Sequence, residues 1–167
     1  VIALDNMVLA WGVRGIATVG QEENVDRAQA FLEKIEQQGT VLAVPTPALA
    51  EFLVDVPVAR HLHVVTSLRA GFVLLDFDAN AAARAAEVMA KNLDRVRSEH
   101  GPGTPGLRQA LKTDAMILGV CLARSVRKIV SDDGPLKLMA QGFPELEVVT
   151  LPDPPLQRTM FGRTTTG

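Results

Sequence analysis

The chain has 167 residues, 17 Lys+Arg against 19 Asp+Glu, 47% hydrophobic residues, one Cys, one Trp and no Tyr, so one domain is the natural prior. A chain of this size buries about 70% of the surface its unfolded form exposes and can hold a core without disulfides or structural metal. The lone Cys121 excludes an internal disulfide and a Cys-based zinc site and points to a reducing cytoplasm. His61, His63 and His100 offer no HExxH spacing, which argues against a zinc hydrolase. No apolar stretch approaches the ~20 residues that span a bilayer, and Val1–Asp5 lacks the basic start of a secretory signal. Neither membrane insertion nor export is expected.

Short β-branched runs alternate with longer amphipathic stretches, the pattern of strands and helices around a parallel sheet. In chain order, Val1–Asp5 reads as a first strand. A helix follows from about Glu22 to Gln37, with Val25, Ala28, Leu32 and Ile35 at helical spacing and Gly39 closing it. Thr40–Val44 is a second strand. Thr46 is placed to cap the next helix, with Pro47 in its first turn and Ala50-Glu51-Phe52-Leu53 carried inward. Residues 57–70 read as an interrupted helix and Phe72–Leu75 as a third strand. Asn80 to about Arg97 is an Ala-rich helix whose stripe is Ala83, Ala86, Val88 and Met89.

The Gly/Pro-rich run 101–106 reads as an exposed connection. A helix from about Leu107 to Arg124 buries Leu111, Ala115, Leu118 and Leu122, and Lys128–Ser131 and Leu146–Thr150 complete five strands. These strands are too uniformly apolar to leave one face in water, so helices should cover both faces. The domain is expected over 1–150, with a Pro/Thr-rich tail over 151–167.

The net charge of −2 is unevenly distributed. Residues 84–128 carry nine Lys/Arg against four acids, a local +5 that leaves −7 for the remainder. Such a stretch either attracts a polyanion or forms a solvated helix face.

In a parallel sheet, functional groups gather beyond the carboxyl ends of the strands. Asp5 ends the first strand, Asp76 follows the third, and Asp132 and Asp133 follow the fourth. Glu51 and Asp114 sit in apolar helical sequence, where an acid is costly to bury without compensation. A shared hard cation, Mg2+ or Mn2+, would supply it. Each acid also has a structural reading. Asp5 could cap a helix starting at Asn6, Glu51 could face solvent, Asp114 could pair with Arg108 or Lys112, and Asp132 and Asp133 could be turn residues before Gly134-Pro135. Capping suits Asp76 and Asp78 best.

Four fragments in order resemble the PIN-domain nucleases: Ala3-Leu4-Asp5-Asn6-Met7-Val8-Leu9, Pro45-Thr46-Pro47-Ala48-Leu49-Ala50-Glu51-Phe52, Lys112-Thr113-Asp114-Ala115-Met116-Ile117-Leu118 and Ile129-Val130-Ser131-Asp132-Asp133. The resemblance covers about residues 1–150. It implies a Rossmann-like α/β/α sandwich with a five-stranded, mainly parallel sheet and an Mg2+- or Mn2+-dependent endoribonuclease. By motif position Asp5, Glu51 and Asp114 would be the core metal ligands. Asp133 would be the fourth acid, two residues after the Ser131 hydroxyl, with Asp132 its rival. Substrate contacts would fall to Asn6, Lys112, Ser131 and Arg108. Met7 departs from the small polar residue common two positions after the first Asp.

In size the chain resembles the toxins of bacterial VapBC toxin–antitoxin pairs, which implies a homodimer and a small antitoxin protein as partner. Val8, Leu9, Trp11, Phe52 and Leu53 would then line a groove or dimer contact, or simply belong to the core. The alternatives are a non-catalytic RNA- or partner-binding module and a stand-alone RNA-processing nuclease. Phosphotransfer domains that also place Asp after a first strand need paired acids that Asp5-Asn6-Met7 does not supply.

Overall fold

The computed structural model of the chain describes residues 1–100 and 107–153, with backbone alone over 94–100 and 107–111. The expected 98–107 loop and most of the expected tail lie outside the described residues. Five short strands, β1 (Ile2–Leu4), β2 (Leu42–Pro45), β3 (Val73–Leu75), β4 (Lys128–Val130) and β5 (Glu147–Val149), form one sheet in the order β3-β2-β1-β4-β5. Every neighbouring pair is parallel. Each strand falls on its predicted segment; β2 starts two residues later than expected and runs one residue further, to Pro45, and the other four are shorter than expected.

Seven α-helices connect them among the described residues: α1 (Asn6–Arg14), α2 (Glu23–Gln37), α3 (Thr46–Val54), α4 (His61–Gly71), α5 (Ala79–His100), α6 (Leu107–Ala123) and α7 (Gly134–Ala140). A 3-10 turn over Val58–Arg60 supplies the predicted interruption before α4. The chain adds β2 and β3 on one side of β1, then crosses to add β4 and β5 on the other. The switch point of the sheet therefore lies between β1 and β4, where a crevice opens beyond the carboxyl ends.

Alternation along the strands separates two cores. Ala3, Ile129 and Val148 point toward a cluster with Val88, Ala115, Leu118, Leu136 and Phe143, which come from α5, α6, α7 and the loop after it. Leu4, Val44 and Val130 point the other way, against Val8, Trp11, Ala28, Phe31 and Leu68. The helix α3 feeds both, through Ala48 on one side and Leu49 and Phe52 on the other. It therefore lies across the sheet edge, where the candidate acids collect.

Four local expectations change. The cap of α3 is Pro45, and the Thr46 hydroxyl instead accepts from the Phe77 N–H at 3.0 Å. Ala50 is exposed, so only its neighbours Glu51, Phe52 and Leu53 turn inward. The buried stripe of α5 is Ala81, Ala85, Val88 and Asn92, leaving Ala83 and Ala86 in solvent. In a helix rich in Ala on all sides, composition does not say which Ala faces the core. The segment after Asp133 is the helix α7 as well as a turn, with Pro135 in its first turn and Asp133 accepting from the Leu136 N–H at 3.0 Å.

Packing of α5 on α6 depends on small residues. A Cβ on Gly119 would lie 2.6 Å from the Ala85 amide nitrogen and 2.7 Å from the Ala81 carbonyl oxygen. The two backbones can approach this closely only because position 119 carries no side chain.

Candidate functional site

The register of β1 and β4 brings distant acids together. Leu4 pairs with Val130, and the Asp5 N–H donates to the Val130 carbonyl at 3.2 Å, so Asp5 and Ser131 are the next residues across the switch point. The Ser131 hydroxyl donates to Asp5 Oδ2 at 2.6 Å and accepts from the Asp133 N–H at 3.0 Å. Asp5 Oδ1 accepts from the Asn6 N–H at 2.7 Å, at the start of α1. Capping and site placement thus coexist in Asp5. Ser131 is fully buried and Asp5 nearly so, so the geometry of this first carboxylate is fixed from both sides.

The other acids reach the same field. Burial is the largest cause raising the Asp5 carboxyl above its usual range; the Ser131 and Asn6 hydrogen bonds oppose it, and the Asp133 charge adds to it. Glu51, half-buried on α3, is raised by burial and by the charges of Asp5 and Asp133. Asp114, half-buried on α6, is pushed up to about 7 by burial and then by Asp133, Asp5 and Glu51. Like charges disfavour each other's ionisation when they share a site. Asp5, Glu51 and Asp114, from three parts of the chain, are thus each raised by burial and by neighbouring acids, Asp133 among them.

Asp132 turns elsewhere. Its Oδ1 accepts from the Leu151 N–H at 2.8 Å, and buried Leu151 also receives Arg27 on its carbonyl. Its carboxylate thus fastens the chain as it leaves β5. The sequence alone left Asp132 and Asp133 as rivals, because only the path after β4 separates them. Asp78 caps α5 through the Ala81 N–H at 2.9 Å and pairs with Arg124 at 2.9 Å. Lys112 is exposed on α6, and the side chain of Arg108 lies outside the described residues.

Four of the nine cations of the basic stretch, all among the described residues, have local acidic partners. Arg84 and Lys91 both meet Glu87, Arg124 meets Asp78, and Lys128 lies 3.6 Å from Glu147. For these cations the solvated-face reading holds.

Chemically, a group of carboxylate oxygens suits a hard divalent cation, which would offset the burial and the neighbouring charges that push Asp114 up. Among the described residues no three such side chains stand at joint ligand spacing. Asp5 is fixed by its hydrogen bonds, whereas the side chains of Glu51 and Asp114 are only half-buried.

By sequence, the chain matches no protein-family model and no curated protein. By structure it is similar to a chain of VapBC2 from Rickettsia felis, crystallised bound to a DNA fragment from the promoter. The TM-score is 0.59 at 12% identity, covering 89% of this chain and 97% of that one. It is also similar to a chain of DNA-bound VapBC from Salmonella typhimurium, with a TM-score of 0.56 at 17% identity, covering 90% and 98%. About nine-tenths of this chain and nearly all of each of those superpose: the molecule has a VapC-like PIN-domain fold.

Proposed function

We propose that the protein is a metal-dependent endoribonuclease and the toxin of a toxin–antitoxin pair, with Asp5, Glu51, Asp114 and Asp133 as its acidic centre. The observation that carries the reading is the meeting of Asp5, Ser131 and Asp133 at the switch point of a VapC-like sheet, with Glu51 and Asp114 close enough that neighbouring acids add to the burial that raises them. Mg2+ or Mn2+, when bound, would supply activation of water and charge neutralisation at the phosphodiester. Asp5 would hold the ion with fixed geometry, its orientation set by Ser131 and the Asn6 N–H. Glu51 and Asp114 would complete the donor set, and Asp133, tied by Leu136, would act from the start of α7. Lys112, Asn6 and Arg108 are proposed to position the RNA. The partner is proposed to be a small antitoxin, the soluble assembly a homodimer, and the compartment the cytoplasm. No described helix is long and apolar enough to cross a membrane.

A second reading, a non-catalytic RNA- or partner-binding module, is favoured by the open spacing of the acids. Cleavage separates the two. Purified protein should cut RNA with Mg2+ or Mn2+ and not with EDTA, and Asp5→Asn should abolish cleavage while the protein remains folded by circular dichroism. Undiminished cleavage by Asp5→Asn would reject the acid assignment. RNA binding with no turnover at any metal concentration would establish the module instead.

A further inference from the structure

The helices α1 and α3 bring two of the acids together: Asp5 caps the start of α1, and Glu51 lies on α3. Both helices contribute to one core cluster, through Val8 and Trp11 from α1 and Leu49 and Phe52 from α3. Beside that cluster a cavity of about 310 Å³ parts them, lined from α1 by Asn6, Met7 and Ala10 and from α3 by Glu51 and Phe52. Asp5 is held by hydrogen bonds from Ser131 and the Asn6 N–H, whereas the Glu51 carboxylate, half-buried, takes none from the described residues. Where Glu51 stands relative to Asp5 therefore follows from where α3 stands relative to α1.

One polar tie spans the two helices at the end of that cavity. Arg14, in the last turn of α1, donates to the carbonyl of Asp55, the residue that ends α3, at 3.1 Å. Its guanidinium also lies 5.7 Å from the centre of the ring of Phe52, the neighbour of Glu51. The last carbonyls of a helix have no partner within it, so Asp55 is open to such a donor. Among the described residues no other hydrogen bond joins α1 to the end of α3. A cavity forfeits the contacts that would otherwise fix the spacing of two helices. A planar guanidinium can replace them, because it stacks on a ring and donates to a carbonyl at once.

We propose that Arg14 is a positioning residue for Glu51: by tying the end of α3 to the end of α1, it sets how far the Glu51 carboxylate stands from Asp5. The inference rests on the reading of Glu51 as a cation ligand. The sign of the effect separates this role from one of simple charge. Removing a positive side chain from the neighbourhood of a cation site should, by charge alone, tighten cation binding. Removing a positioning residue should weaken it.

The test is calorimetric titration of the full chain with Mn2+ in four forms: unsubstituted, Arg14→Met, Glu51→Gln and the two combined. Methionine keeps an apolar stem over Phe52 but loses the donor and the charge. Arg14→Met should weaken Mn2+ binding about tenfold, the low end of what losing the support of a metal ligand costs. In the Glu51→Gln background it should change affinity less than about twofold, because both substitutions act through one group. Unchanged or tighter binding by Arg14→Met would overturn the proposal, as would an equal loss in both backgrounds. A lower urea midpoint with unchanged Mn2+ affinity would assign Arg14 to stability alone and overturn it as well. Should Arg14→Met fail to fold, Arg14→Gln carries the test with a several-fold loss. If Glu51→Gln leaves no measurable binding, Arg14→Lys decides: it keeps a donor and should recover most of the affinity, and no recovery would reject the role. RNA cleavage in Mn2+ is scored in parallel. Arg14-dependent Mn2+ binding without cleavage would sink the nuclease reading and keep the positioning role, and cleavage with Arg14-independent Mn2+ binding would do the reverse. Absence of any Mn2+ binding by the unsubstituted chain would overturn the positioning role, with cleavage still judging the nuclease reading.

Discussion

At the scale of single residues, Ser131 links the first carboxylate to the fourth acid. The family resemblance pointed to it as the hydroxyl two residues before the fourth acid, but its double hydrogen bond to Asp5 and the Asp133 N–H follows from the β1–β4 register. Ser131→Ala should cost about 1.5–3 kcal/mol in urea denaturation, the worth of a hydrogen bond to a charged group. It should also lower cleavage about 10–100-fold, with a higher Mn2+ requirement. Asp114 gives a second check. Its folded pKa is raised, so the folded state holds a proton that the unfolded state has lost between pH about 4 and 7. Stability of the metal-free protein should therefore fall as pH rises through that window and level off above it. Asp114→Asn should flatten the profile and, after allowance for solvent screening of a half-exposed group, raise stability at pH 7 by about 1 kcal/mol. For a chain of this size that is about 2–4 °C in Tm by calorimetry. An unchanged pH profile would remove Asp114 from the coupled set.

At the scale of elements, all five strands and most helices were legible because buried parallel strands are short continuous apolar runs and the helices are amphipathic. Legibility failed where one residue can serve two local roles. Thr46 looks like a cap, yet Pro45 already holds extended backbone at that position and the hydroxyl reaches across to Phe77 instead. The Ala-rich α5 hid its buried face, since Ala81 and Ala85 are chosen over Ala83 and Ala86 by the approach of α6. That approach is testable. Gly119→Ala should gain up to about 1 kcal/mol in helix propensity but place a methyl against the backbone of Ala81 and Ala85, where overpacking costs about 1–3 kcal/mol. A lower urea midpoint is expected, and a higher one would mean that α5 and α6 do not meet at Gly119.

At the scale of the whole molecule, the site exists because the strand order reverses between β1 and β4, and α3 and α6 carry Glu51 and Asp114 toward that crevice. The four acids could be picked out by motif order, with Asp132 a rival to Asp133, but the hydrogen bond that ties Asp132 to the Leu151 N–H could not be read, because it joins chain paths far apart in sequence. The different duties of the two neighbours give a prediction at this scale. Asp132→Ala should free Leu151 and cost about 1 kcal/mol in thermal stability, while cleavage continues at the unsubstituted rate; loss of cleavage in a folded Asp132→Ala protein would return Asp132 to the acidic centre. The central claim, that four carboxyl groups form one cation site, is tested most directly by anomalous scattering from crystals grown in Mn2+. The account predicts a manganese peak at ligand distance, about 2.0–2.2 Å, from oxygens of Asp5 and Asp114, and saturating Mn2+ with no peak between them would contradict it.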